Sequence, residues 1–186
     1  MQPAFRRENP VAARSRAALI AAADTLLSHS PAAEISVTTV VSTAGMSRPT
    51  FYQHFTDLGS LFAAAGSARL AQVFAAISGD SGDQIAELIA AVESDAQFYW
   101  HIYDGPSGME FHAHAVKLTA GWLYSRSGAV EYDDNLWDFL AAGVVWTLTK
   151  HVAAVANNPQ AHIVSPADDL NRILDSVSAF PAHNVS

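Results

Sequence analysis

The sequence predicts an all-α protein of about nine helices. Apolar residues recur at three- and four-residue spacing along most of the chain, strand-like alternation is rare, and capping or breaking residues separate the periodic runs. Half of the 186 residues are apolar, the composition of a globular chain.

The elements follow in order. Residues 1–11 read as a flexible arm. From about Ala12 to Ser28, the residues Leu19, Ile20, Ala23, Leu26 and Leu27 form a helical stripe, ended by His29-Ser30-Pro31. Ser36 suits the N-cap of a short helix over Val37–Ala44, and Gly45 breaks it. Ser47 caps a third helix, with Pro49 in the first turn, where a missing N–H costs little. Thr56-Asp57 closes that helix and opens a fourth over about Leu58–Ile77. Ser78–Gly82 is a loop, and residues 83–93 and 95–104 read as two further helices. A second loop, Gly105–Gly108, precedes a helix from about Met109 to Arg126, with Gly128 as its stop. Asp133 or Asp134 opens a long apolar helix to about Ala156, stopped by Asn157-Asn158-Pro159. Ser165-Pro166 opens the last helix, with Asp168 and Asp169 at the positive end of its dipole.

Composition narrows the function. The chain has no cysteine, which excludes a disulfide scaffold, a zinc ribbon and a cysteine nucleophile. The formal charge of −8 is uneven. Residues 1–55 carry net +2, with Arg6, Arg7, Arg14, Arg16 and Arg48, and the remainder carries net −10. Such asymmetry suggests that the N-terminal part meets an anionic partner. No apolar segment follows the arginines near the N-terminus, so no signal peptide is expected and the expected location is cytoplasmic. The longest apolar stretch, Phe139–Ala156, is interrupted by Lys150 and His151 and reads as a buried helix, with no membrane partner. His112 and His114 diverge on a helix, and no HExxH, glycine-rich phosphate loop or nucleophile elbow is present, so neither metal, cofactor nor enzymatic activity is expected.

Residues 36–55 carry the functional signal. Two short helices joined by a tight glycine turn are the skeleton of a helix-turn-helix, whose second helix enters the major groove of DNA. Here that helix spans Ser47–His54. Phe51 and Phe55 lie four apart and can face the core, leaving Arg48, Thr50, Tyr52, Gln53 and His54 outward. Arginine suits guanine and glutamine suits adenine. The hydroxyls of Thr50 and Tyr52 and the imidazole of His54 suit phosphate oxygens. Ser47 and Pro49 start the helix, and Thr38 and Thr39, at the start of the preceding one, add hydroxyls.

The segment Arg14–Leu61 resembles the TetR/AcrR family of bacterial regulators. Arg16, Leu19-Ile20, Ala22-Ala23 and Leu26-Leu27 match its first helix. Ser36-Val37, Val40, Ala44–Ser47 and Thr50-Phe51-Tyr52-x-His54-Phe55 match its helix-turn-helix. Three positions depart: Pro31 replaces a common glycine, Pro49 is a variant, and Leu58 stands where a phosphate-binding lysine is usual. The resemblance implies a DNA-binding unit over residues 12–57 and an effector-binding and dimerisation unit over 58–186. It implies a homodimer on a near-palindromic operator of double-stranded DNA, released by a small effector, which the abundant aromatics favour as apolar or aromatic.

In the C-terminal part, the long helix is apolar nearly all round, so more than one face must be covered. Its Ala141, Ala142, Val145, Leu148 and Val152, with Leu170, Ile173, Leu174 and Val177 of the last helix, are the candidate dimer interface. Candidates for the effector pocket are Phe98, Tyr99, Trp100, His101, Tyr103, Phe111, His114, Trp122, Trp137, Trp146 and Thr147, a mostly apolar set with a few polar groups. An activator, a partner-controlled regulator, and a helical binding protein or enzyme with a degenerate helix-turn-helix remain open alternatives.

Overall fold

The computed structural model describes residues 10–77, 84–127, 133–160 and 163–178, with the side chains of the last segment described to residue 175. The arm through residue 9, the loop Ser78–Gly82, Gly128 and the side chain of Val177 lie outside the described residues. Among the described residues there are nine α-helices, one 3-10 turn and no strand. They are α1 (Pro10–Leu27), α2 (Val37–Thr43), α3 (Arg48–His54), α4 (Leu58–Ala76), α5 (Gln84–Ser94), α6 (Ala96–Tyr103), α7 (Gly108–Ser127), α8 (Asp134–Asn157) and α9 (Ala167–Ser178). The 3-10 turn, Ala32–Glu34, lies between α1 and α2 and has no counterpart in the periodicity.

The caps behave as their residue types dictate. Asp57 Oδ1 accepts the Ser60 N–H at 2.8 Å and starts α4. Asp133 Oδ1 accepts the N–H groups of Asn135 and Leu136 and starts α8. α1 begins at Pro10, inside the stretch 1–11 expected as an arm, where a proline suits the first helical turn.

One core runs through the molecule. α4 packs against α1 on one side and α7 on another, and α8 closes the bundle against α6 and α7. Phe62, Phe98, Phe111, Leu88, Ile102 and Val152 are fully buried there. α4 approaches α6 and α7 closely at Gly66, where an added Cβ would stand 2.7 Å from the Phe111 ring and 2.9 Å from Ile102 Cδ1. By length and composition α4 and α8 are each apolar enough to span a membrane, but both are built into this bundle.

The face of α8 opposite the core has its own pattern. Leu136, Phe139, Gly143, Trp146 and Lys150 are exposed at helical spacing, with Phe139 77% and Trp146 59% exposed. Among the interface candidates, Ala141, Val145, Leu148, Val152 and Leu170 are buried inside the chain itself. They contribute to its own core and leave no surface for a second copy. Ala142 and Leu174 are half-buried and Ile173 is exposed.

Candidate nucleic-acid interface and interior cavity

The helix-turn-helix is set by local chemistry. Ser36 caps α2 by accepting the Thr39 N–H at 3.1 Å, and Ser47 caps α3 by accepting the Thr50 N–H at 3.3 Å. In both caps the serine and threonine hydroxyls also share a hydrogen bond of 2.8 Å. Between them the chain turns at Gly45, with φ of 64°. The Met46 N–H donates to the Val41 carbonyl and the Gly45 N–H to that of Ser42. This is a Schellman turn, which satisfies the last carbonyls of α2 and requires the left-handed conformation that glycine adopts without cost.

α3 is anchored by Phe51, fully buried, and by Phe55 immediately after its end. The two rings lie 6.1 Å apart. With these facing inward, the other side of the helix faces out. Ser47, Arg48, Pro49, Tyr52 and Gln53 are exposed, Thr50 and His54 are half-exposed, and Thr38 and Thr39 on α2 are exposed. The Arg16 guanidinium lies over the Phe55 ring, 5.1 Å from its centroid, adding a cation beside α3. Arg14 Nε donates to the Pro10 carbonyl within α1. Leu58 is half-buried against the core, so the start of α4 carries an apolar side chain and not the lysine that the family resemblance leads one to expect.

The N-terminal helices are tied to the rest of the chain by one charged cluster. Arg69 of α4 donates from Nε and Nη2 to the two carboxylate oxygens of Asp24 on α1, at 2.9 and 2.8 Å, and from Nη2 to Ser28 Oγ at 3.0 Å. Asp95, at the start of α6, lies 3.3 Å from Nη1. The guanidinium stands 3.7 Å from the centroid of the Phe98 ring. Burial disfavours the charge, but the hydrogen bonds and charge of Asp24, with that of Asp95, outweigh it and hold the Arg69 pKa above its ordinary value. A second tie joins His101 Nδ1 to the Leu27 carbonyl at 2.7 Å. The spacing of single residues does not reveal this cluster, because Asp24, Arg69 and Asp95 are far apart in sequence.

An interior cavity of about 30 Å³ lies among α4, α5, α6, α7 and α8. That is about the volume of one water molecule. Of the pocket candidates, Tyr99, Tyr103 and Phe111 line it. The others are elsewhere. Phe98 backs Arg69, and His101 is tied to α1. His114 is exposed beside Ser67. Trp122 stacks on Phe74, 5.1 Å away, and Trp137 meets the Tyr124 ring edge-on. Trp100 and Thr147 are half-buried outside the cavity lining, and Trp146 points to the exposed side of α8. Aromaticity alone does not separate rings that line a void from rings that fill space beside it.

The cavity lining also holds Val145, Leu148 and Val152, expected at a dimer interface, and Thr119 and Thr149, which the sequence reading missed. Thr119 had a signal: Phe111, Ala115 and Thr119 fall four apart, so one helix face carries them all. Burial raises the pKa of the Tyr103 phenol and outweighs the opposing influence of Thr149, whose own hydroxyl donates to the Val145 carbonyl at 2.8 Å. Burial also pushes the Tyr99 phenol well above its ordinary range, with the nearby Asp95 carboxylate acting in the same direction.

Comparison with known proteins agrees with this geometry. The family described as bacterial regulatory proteins, TetR family, matches residues 19–65, the stretch from the middle of α1 into α4. A candidate TetR transcriptional regulator from Streptomyces avermitilis MA-4680 shares the fold, with a TM-score of 0.50 and 22% identity over 87% of this chain and 97% of its own. A candidate transcriptional regulator from Pseudomonas aeruginosa PAO1 does so with a TM-score of 0.50 and 16% identity, over 95% of both chains. No curated protein matches the chain.

Proposed function

We propose that this chain, whose residues 19–65 match the TetR-family model, is a ligand-responsive repressor that holds operator DNA as a homodimer. The observation that carries the reading is the outward row Arg48, Tyr52 and Gln53 on a helix anchored by Phe51 and Phe55. A capped helix with polar side chains near its N-terminus is what the major groove accepts. Arg48 and Gln53 have the donor geometry to read bases, while Tyr52 and His54 suit the backbone.

The exposed stripe Leu136, Phe139 and Trp146 on α8 supports pairing of two copies. Three large apolar side chains left in water at helical spacing are stabilised when a second copy covers them. A two-fold pair then presents two α3 helices to half-sites about one DNA turn apart. The effector acts from the interior of the α4–α8 bundle. It releases DNA by binding better to a conformation in which the two α3 helices no longer fit successive grooves. As such a regulator the protein works in the cytoplasm and performs no chemistry on its ligand.

The test is selection of genomic fragments by the purified full chain, followed by titration of the recovered site at several salt concentrations. A near-palindromic site with affinity falling steeply as salt rises is the expected result. Weak binding that ignores salt and sequence would overturn the reading. Sedimentation checks the pairing: Phe139→Lys combined with Trp146→Lys yields monomer where the parent yields dimer.

A further inference from the structure

We infer that the cavity among α4, α5, α6, α7 and α8 takes a neutral, mostly apolar molecule with one hydrogen-bonding oxygen, held jointly by Tyr99 and Thr119. This rests on the effector reading above and gives the effector a chemical class.

The Tyr99 Oη and Thr119 Oγ1 atoms are both fully buried, and neither has a hydrogen-bond partner among the described residues. The residues themselves are 2% and 1% exposed. Both line the same cavity. A buried hydroxyl without a partner is unfavourable, and a guest oxygen that reaches the two as the helices part would satisfy both. The neighbouring Thr149 hydroxyl already donates to the Val145 carbonyl at 2.8 Å. Tyr99 and Thr119 carry the buried hydroxyls of this lining that lack a partner among the described residues.

The rest of the lining sets the guest's other properties. Leu70, Val92, Phe111 and Val145 make most of the wall apolar, and no charged side chain lines it. An ionised ligand would lose its hydration without finding a counter-charge, so the site rejects carboxylates and ammonium groups. The Tyr99 and Phe111 rings stack with centroids 6.0 Å apart, which suits an additional planar or aliphatic group beside them.

Size gives the site a consequence for DNA binding. A benzene-sized guest needs a void of roughly 150 Å³, against the 30 Å³ present. Admission therefore parts the helices. Leu70 on α4 is one wall, and the adjacent Arg69 grips Asp24 of α1. On the opposite wall Tyr99 follows Phe98, the ring against that same guanidinium. Displacing α4 or α6 displaces the grip on α1.

Calorimetry of the full chain with phenol, toluene and benzoate tests the assignment. Phenol is expected to bind about tenfold more tightly than toluene, the worth of roughly one hydrogen bond, and benzoate not at all. Tyr99→Phe and Thr119→Val should each erase the preference for phenol, while the unliganded variants melt no lower than the parent because an unpaired hydroxyl has been removed. Equal binding of phenol and toluene, binding of neither, or a preference surviving in both variants would overturn the inference. The same preparations are titrated with the selected DNA site. DNA binding without phenol binding defeats the cavity assignment and leaves the regulator. Phenol binding without DNA binding defeats the regulator and leaves the cavity assignment.

Discussion

Arg69 holds Asp24 through two parallel hydrogen bonds, at 2.9 and 2.8 Å, and so fastens α4 to α1. A bidentate guanidinium–carboxylate pair is directional as well as strong. Arg69→Met keeps an apolar stem near Phe98 but leaves Asp24 without its partner. We expect a loss of about 1–3 kcal/mol in urea unfolding, the range for a partly buried charge pair broken on one side. Arg69→Lys should recover little of it, because an ammonium cannot reproduce the fork.

Gly45 makes a cleaner backbone test. A Cβ built there meets nothing within 4 Å, yet φ is 64°. The cost of Gly45→Ala is therefore conformational alone, about 1 kcal/mol, and Gly45→Asn should cost less because asparagine tolerates the left-handed region. Thermal unfolding of the two variants gives the ranking. Equal melting temperatures would show that the turn relaxes.

Gly66 is the opposite case. Its backbone is ordinary helix, but an added Cβ would lie 2.7 to 2.9 Å from Phe111 and Ile102. Gly66→Ala should destabilise by about 1–3 kcal/mol through overpacking, despite the better helix propensity of alanine. A more stable variant in denaturant titration would mean that the α4–α7 crossing yields readily.

On the recognition helix, Arg48→Ala and Gln53→Ala should relax sequence preference at particular positions of the site, by about 1–3 kcal/mol each. Tyr52→Phe should weaken binding to all sequences alike. Competition of related DNA sites for each variant separates the two classes. Unchanged affinity in Arg48→Ala, Gln53→Ala, Tyr52→Ala and His54→Ala would remove α3 as the reading helix.

Stability should fall in alkali. The folded pKa of Tyr99 lies above its ordinary 10.0 because burial favours the neutral phenol. Below pH 10 both folded and unfolded chains keep the proton, and that contribution to stability is complete. Above pH 10 the unfolded chain releases the proton and the folded chain does not, so stability is lost as pH rises toward the folded value. Tyr103 is shifted in the same direction. Urea unfolding between pH 8 and 11 should show this decline, and Tyr99→Phe should make it shallower.

The elements were legible in the sequence wherever short-range chemistry decides them. Ser36, Ser47, Asp57 and Asp133 cap the helices they precede, and the Phe51/Phe55 spacing separates the buried side of α3 from its outward side. Long-range partition was less legible. An apolar residue on α8 serves the core at Val145 and the surface at Trp146, one position apart, and hydropathy does not distinguish them. The cavity depends on how five helices leave a gap, which no single helix encodes. Only its lining by Tyr99, Tyr103 and Phe111 was anticipated, while the threonines opposite were passed over as ordinary helix residues.

α4 runs unbroken from Leu58, packed beside the helix-turn-helix, to Leu70 on the cavity wall and beyond. At helical rise, those two residues stand about 18 Å apart along the axis. A tilt of about 5° pivoting at the cavity would swing the Leu58 end by roughly 1.5 Å over that length. Hydrogen bonds between side chains and base edges tolerate only a few tenths of an ångström before weakening. On the proposed reading, a guest needing only a few ångströms of room moves α3 out of register with DNA through one stiff rod, without unfolding any part of the bundle.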